Sequence, residues 1–539
     1  MNMLKRLISG VCCLPVALLA VGVGARGAQV QPGEGIPARP KLVVGIVVDQ
    51  LRTDYLEYLT PLMGRGGFGT LEAKGTYLRD VQYAPARLDA VSSTAMLLTG
   101  ATPDRTGVAS ARTWNAAHMK LTPTLADPEF IGNFTSETYS PRTLRLSTVT
   151  DEVMIDGAGL GQAWAVAIDP QQAVTLASHA GTGALWLDRN TGKWCSSTYY
   201  KDMPSVASDR NYRHSLSSRL DTMQWKPLLP LERYPGLPAQ KRYYPFRYTF
   251  PTRSKDVYEQ FAASPKGNTE VTDLALDCLR SLNLGNRGDA IDMLCVGYSV
   301  APFKYVKDGD YRLELMDAYL RLDREIARLL SAVEKAVGAG NAFVFLVSTG
   351  YYDDATIDDE KYRIPSGTFS VKRAISLLNA FLTARHGQGN YVDAYADGAM
   401  YLNRKLLEQK GVELDLAARE AKEFLVKMSG VEAVYTMSDL LSASTAEEDG
   451  LRLCVDPKGG VDLVLEISPG WLLSDDTVYP VQTRPVRHGR YMSPALLMGP
   501  GIGAGQRVDT PVPATSIAPT VATALRIRQP NGCRTAPVF

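Results

Sequence analysis

One ten-residue run limits the fold more than any other feature of the chain: "KLVVGIVVDQ", residues 41–50, is apolar at almost every position and closes on Asp49. A strand with one solvated face alternates apolar and polar residues, whereas a strand covered on both faces does not. The run therefore predicts a central strand of a parallel sheet. A carboxylate at its C-terminal end would sit at the edge where such sheets bind ligands. The plainer reading of Asp49 is a cap for the following helix, and the motif alone does not separate the two.

The same grammar recurs. "AIDMLCVGYSV" (290–300) reads as a strand, and "NAFVFLVSTG" (341–350) as another. Between them lies a long amphipathic segment with Leu315, Tyr319, Leu322, Ile326, Leu329 and Val333 near one face, ended by Gly338 and Gly340. Strand, helix, strand is the order of a parallel α/β sheet. "ALLMGPGI" (495–502) adds a late strand and "TSIAPTVATALRI" (515–527) a closing helix with Pro in its first turn. The predicted fold class is α/β, a mostly parallel central sheet with helices on both faces. Two stretches, roughly 110–285 and 375–485, read as insertions that cover the sheet's C-terminal edge.

At the N-terminus Lys5 and Arg6 precede the apolar run "LISGVCCLPVALLAVGVGA" and small residues around Ala25 to Ala28, the layout of a secretory signal peptide. Residues 1–28 are expected to be removed, with 29–40 as a Pro/Gly-rich linker and 41–539 as one large domain. A retained membrane anchor and a lipoprotein, the latter suggested by Cys12 and Cys13, are the alternatives. The expected location is periplasmic or secreted. Cleavage removes Lys5, Arg6 and Arg26 and no acid, so the net charge moves from +1 to −2 and nothing steers the chain toward nucleic acid. No later apolar run is long enough to span a bilayer. Cys195, Cys278, Cys295, Cys454 and Cys533 are widely spaced without a CxxC pair, signalling neither a disulfide framework nor a thiolate zinc site.

Candidate chemistry clusters in "YAPARLDAVSSTAMLLTGATPDRTGV" (83–108), where Asp89, Ser92 and Ser93 enter an apolar helix. Asp or Ser there is an ordinary N-cap. The sharper reading is a nucleophile at a helix N-terminus, where the dipole holds a phosphate.

The strings "RPKLVVGIVVDQLRTDYL", "GTGALWLDRNTGKWCSSTYY", "DAYLRLDREIA", "VFLVSTG" and "TSIAPTVATALRI" together resemble the bacterial phosphate-irrepressible, PafA-type alkaline phosphatases of the alkaline phosphatase and nucleotide pyrophosphatase superfamily. The resemblance spans the mature chain. It implies hydrolysis of phosphate monoesters in the periplasm with two zinc ions and a threonine nucleophile, hence six Asp and His ligands. Carried over position by position, the first ligand falls on Asp49 and is present. The nucleophile falls near Asp89 or Ala90, in "PARLDAVSS", with no Thr in its place. A phosphate-contacting Asn falls on Arg112, and a Lys and an Arg fall on Asp169 and Gln171. The remaining ligands fall on Pro302, Val306, Thr349, Gly350 and Met492, none of which can serve.

Counting histidines guards against a misplaced alignment. The chain has His118, His179, His214, His386 and His488, none at a strand exit beside an acid. His488 lies four residues before Met492, but one His cannot supply three. His179 matches a His the family also carries, so it reads as ordinary structure. Asp353, Asp354, Asp358 and Asp359 could bind a hard cation, although a solvated acidic loop is the commoner meaning. Asp169 places negative charge where the phosphate dianion would sit, while Arg112 could still hold an anion.

The expectation is an exported pseudophosphatase with a binding, scaffolding or regulatory role toward a protein partner or an anionic ligand. No cofactor is expected, and two zinc ions only if the family activity is retained. The alternative is a hydrolase of phosphate or sulfate monoesters with Asp89, Ser92 or Ser93 as nucleophile and a metal on Asp49 and the acidic loop. A third reading is a subunit that needs an active paralogue.

Overall fold

Strand β1, Leu42–Asp49, lies between two parallel neighbours, β2 (Asp292–Ser299) and β3 (Ala342–Ser348). Val43 stands opposite Met293 on one side and Phe343 on the other. The computed structural model describes residues 38–539 except 238, 244, 308, 354–365, 479–480 and 487–490. Among these residues β1 to β3 form the centre of a ten-stranded mixed sheet. Beyond β2 the strands Ala163–Ala167 and Gly183–Leu187 continue it in parallel. Beyond β3 the late strand Ala495–Met498 joins antiparallel.

The unbroken apolar run of β1 follows from this burial. Leu42, Val44, Ile46 and Val48 enter one core, and Val43 and Val47 enter the other, because successive side chains of a strand point to opposite faces. The first core packs helix α2, Arg312–Val337, through the face expected from its spacing: Leu315, Tyr319, Leu322, Ile326, Leu329 and Val333 are all buried. It ends where Gly338 takes φ +85°, a left-handed turn glycine adopts without penalty. The second core holds α1, Ala90–Thr99, and the closing helix Ile517–Leu525.

The two intervening stretches differ in kind. Residues 163–187 lie inside the first and supply sheet strands, so part of it belongs to the central sheet. Most of the second builds its own four-stranded sheet from Val392–Ala396, Ala399–Leu402, Leu463–Ile467 and Val431–Thr436, with a separate core around Leu378, Leu382, Tyr395 and Leu402. Pro37–Val538 nevertheless cluster as one compact unit. Among the described residues no helix is long and apolar enough to cross a membrane. The N-terminal run read as a signal peptide lies outside them. The cysteines Cys195, Cys278, Cys295, Cys454 and Cys533 are unpaired.

One arginine ties the small sheet to the loop before α1. Arg87, just before α1, donates from Nη1 to the Asp397 carbonyl at 2.9 Å, from Nη2 to the Leu465 carbonyl at 2.9 Å, and from Nε to Glu466 at 2.8 Å. The guanidinium fits because residue 398 is glycine at φ +91°; a Cβ there would land on Arg87. Gly398→Ala is therefore expected to destabilise the protein by about 2 kcal/mol or more. Combined with Arg87→Ala in urea titrations, the pair should cost less than the sum of the singles by about 1 kcal/mol. Strict additivity would show that Arg87 does not fill this space.

Candidate functional site

Register brings the strand exits together. Asp49 is opposite Ser299, and Val48 is opposite Ser348, so Thr349 follows one residue beyond. Thr349 Oγ1 donates to Asp49 Oδ1 at 3.0 Å, and Ser299 Oγ donates to Oδ2 at 3.4 Å. The Tyr351 hydroxyl bonds the same carboxylate. Gln50, at φ +60°, donates its amide nitrogen to Thr349 Oγ1 at 2.9 Å. Its side chain clamps Asp353 through Nε2 to Oδ2 and from the Asp353 amide to Oε1, both at 3.0 Å.

This is a carboxylate surrounded by hydroxyls, with a second carboxylate nearby and no cation among its bonding partners. Burial pushes the Asp49 carboxyl up to about 6, and the Asp353 charge adds to that rise. The hydrogen bonds from Tyr351, Thr349 and Ser299 oppose it without cancelling it.

The five other positions where the resemblance places zinc ligands do not fit a metal. Thr349 is fully buried and spent on Asp49 and Gln50. Gly350 has φ +76°, and any Cβ there would strike the Tyr83 ring, so a tyrosine occupies the room an imidazole would need. The Tyr83 hydroxyl is anchored on the Ser348 carbonyl. Met492 Sδ accepts from Arg79 Nη1 at 3.2 Å. Pro302 and Val306 lie in the loop after β2 with no ligating atom in their side chains. Among the described residues no group of three or more His, Cys, Asp or Glu side chains could hold a metal ion. Asp354, Asp358, Asp359 and His488 lie outside those residues; Asp353 is the acid clamped by Gln50.

The helix α1 candidates are local structure. Asp89 Oδ1 caps the helix, accepting from Val91 N at 3.0 Å, Ser92 N at 2.8 Å and Ser92 Oγ at 2.9 Å. Its Oδ2 accepts from Ala111 N at 2.6 Å. Ser92 completes the capping box by accepting from Asp89 N, and Ala90 opens the helix. Burial raises the Asp89 carboxyl above its ordinary value. Ser93 is fully buried with no hydrogen-bond partner.

Arg112 stands opposite acids. Its Nη2 is 3.4 Å from Asp475 and 3.8 Å from Asp397, in the wall of a cavity of about 110 Å³ beside the α1 entry. Asp169 caps the helix Pro170–Ala177 through Gln172 N at 3.0 Å and faces Arg189 at 3.6 Å. Gln171 bridges the Leu125 amide and the Ala111 carbonyl. The structure thus joins Asp49 to Thr349 and Asp353, and leaves Asp89, Arg112 and Asp169 in other hydrogen-bond sets.

His179 sits beside Ser178 and Asp151, the residue types of a hydrolytic triad. The geometry is otherwise: Nδ1 meets Asp151 Oδ2 and Nε2 meets the Leu144 carbonyl, both at 2.9 Å. With acceptors beside both nitrogens the protonated ring is favoured, and its pKa is raised above the ordinary value, foremost by the Asp151 bond. Ser178 Oγ donates to Asp151 at 2.8 Å and lies 3.3 Å from His179 Nδ1, a nitrogen that itself meets Asp151, so the histidine is turned to the acid and not to the hydroxyl.

Sequence reasoning missed a cleft of about 620 Å³ between the strand exits and the small sheet. Tyr83, Tyr351, Tyr352, Tyr395 and Tyr491 line it. The signal available was "TGYYDD", two tyrosines directly after a strand exit.

Residues 43–489 match the profile of the type I phosphodiesterase / nucleotide pyrophosphatase family. Alkaline phosphatase PafA of Elizabethkingia meningoseptica is 29% identical over 550 residues, covering 97% of this chain and 98% of that one. A protein of Myroides odoratus named calcium-transporting ATPase is 29% identical over 523 residues, covering 92% and 93%. A crystal structure of wild-type alkaline phosphatase PafA superposes with a TM-score of 0.80 at 28% identity, covering 93% of this chain and 98% of that chain. The mixed sheet, the helices on its two faces and a match running through most of both chains lead to one conclusion: the chain belongs to the type I phosphodiesterase / nucleotide pyrophosphatase family, on its PafA-like alkaline phosphatase branch, with an incomplete metal-ligand set among the described residues.

Proposed function

We propose that the protein is an exported member of this family that has lost two-zinc phosphoester hydrolysis and acts by binding, as a scaffolding or regulatory pseudophosphatase. The observation that carries this reading is the Tyr83 ring beside Gly350. It fills the space of a ligand side chain, so restoring the metal site would need a rearranged strand exit as well as new ligands. The hydroxyl shell of Asp49 points the same way, because Thr349 and Ser299 direct their donors onto the carboxylate oxygens that a metal would otherwise take. The layout of residues 1–28 supports export. Among the described residues Asp89 and Ser92 are spent on the helix cap and Ser93 is buried, which weighs against a rebuilt hydrolase that uses them as nucleophile.

The direct test incubates the purified mature protein with excess zinc, removes unbound ion, and measures bound metal and turnover of p-nitrophenyl phosphate. The expected result is no tightly held zinc and no turnover above buffer. Two zinc ions with activity abolished by Asp49→Ala would overturn the proposal.

A second expectation concerns pH. The folded carboxyl of Asp49 titrates near 6, above its unfolded value, so the folded state holds this proton more tightly. Its stabilising contribution is present below the unfolded pKa, about 4, and is lost as pH rises through about 6. Asp49→Asn should therefore leave stability at pH 4 nearly unchanged and raise it at pH 8 by about 1–3 kcal/mol, read from urea midpoints in chelator. A metal-holding site would lose stability at pH 8 in zinc on the same substitution.

A further inference from the structure

The large cleft is built for a different charge from the one its family position suggests. Among its described lining residues Asp80, Asp353, Glu447 and Glu466 stand against Arg87 and Arg484, a net of −2. Arg87 and Glu466 neutralise each other through their hydrogen bond, and Arg87 is further spent on two backbone carbonyls. Among the described lining residues three carboxylates then face one guanidinium, with Arg52 beside the tyrosines already paired with Asp54. They come from different segments: Asp80 precedes the α1 loop, Asp353 follows β3, and Glu447 lies in the helix Ala446–Arg452 of the small domain. A ligand between them would meet negative charge from more than one side.

The tyrosines supply the rest. Three are fixed by their hydroxyls: Tyr83 on the Ser348 carbonyl, Tyr351 on Asp49, and Tyr352 on the Leu51 carbonyl at 2.9 Å and Ser493 at 2.8 Å. With the polar tips tied down, the rings form a rigid aromatic surface, so little rotamer entropy is lost when something packs on it. The electron-rich face of an aromatic ring attracts a cation. The protein already uses this attraction at the rim of the cleft. Arg52 lies 3.7 Å from the Tyr491 centroid and 5.9 Å from that of Tyr352, and both rings also line the cleft. About 620 Å³ accommodates a small organic molecule with an apolar body.

We infer that this cleft binds a small organic cation, an ammonium or guanidinium group carried on an apolar or aromatic body, with the tyrosines packing the body and Asp353 and Glu447 balancing the charge. The inference rests on the absence of two-zinc chemistry proposed above, since a metal pair would turn the same cleft toward anions.

The test is calorimetric titration of the mature protein at low salt with benzyltrimethylammonium, with its uncharged relative benzyl alcohol, and with the anion phenyl phosphate. The ammonium is expected to bind about tenfold or more tightly than benzyl alcohol and to weaken as salt rises. Glu447 is exposed, so Glu447→Gln should fold normally while lowering ammonium affinity by about threefold or more. Arg112→Ala, in the neighbouring small cavity, should leave it unchanged. Tighter binding of phenyl phosphate, no measurable ammonium binding, or an affinity untouched by both Glu447→Gln and Asp353→Asn would each overturn the inference. Zinc-supported turnover of phenyl phosphate in the same preparation would remove the functional reading beneath it, whereas no turnover with no ammonium binding would remove this inference alone.

Discussion

Parallel pairing of β1 with β2 and β3 is the constraint on which the other features depend. It is in register along the full length of β1 against β2, so the strands finish together and their first loop residues converge. A carboxylate at the end of β1 must then be satisfied by what its neighbours offer at their ends. Here they offer Ser299 and Thr349, two hydroxyls. Hydroxyls stabilise a carboxylate far less than a divalent cation does, and the Asp49 proton is correspondingly hard to remove. The same sheet edge can therefore serve metal catalysis or hold a carboxylate among hydroxyls, according to a few residues that leave the strands intact.

The missing ligands are not empty places. The Tyr83 ring fills the space beside Gly350, Met492 accepts from Arg79, and Gln50 in a left-handed conformation clamps Asp353. Each of these residues is packed or hydrogen-bonded, and Tyr83, Gly350, Asp353 and Met492 together form part of the wall of a tyrosine-rich cleft. Arg87 completes the opposite wall by tying the loop before α1 to the carbonyls of the small sheet. The loop before α1 thus works as a structural clasp.

Much of the central architecture was legible from spacing, because burial on both sheet faces demands continuous apolar runs and a buried helix stripe demands its 3.6-residue repeat. The strands 42–49 and 292–299 and the apolar face of α2 follow from that rule and lie where it puts them. The lack of ligating side chains at Pro302, Val306, Gly350 and Met492 was equally legible, since identity alone excludes them. Residues 163–187 were harder: short strands inside a Tyr- and Pro-rich stretch carry no sign that they join the large sheet. Arg112 also illustrates the limit. Its residue type suits an anion, but Asp397 and Asp475 reach it from segments nearly 300 and more than 350 residues away.

By itself the sequence determined that β1 would be buried on both faces, that Asp49 would stand at its exit, and that Pro302, Val306 and Gly350 would bring no ligating side chain, because these depend on residue identity and local periodicity. Only the tertiary structure decided what took their place. The tyrosines that build the cleft come from positions 83, 351, 352, 395 and 491, and their fixed rings and the balance of surrounding charge arise from contacts between segments far apart in the chain. Such contacts leave no periodic trace in any one segment, since each tyrosine and each carboxylate acquires its role from the neighbour that the fold supplies.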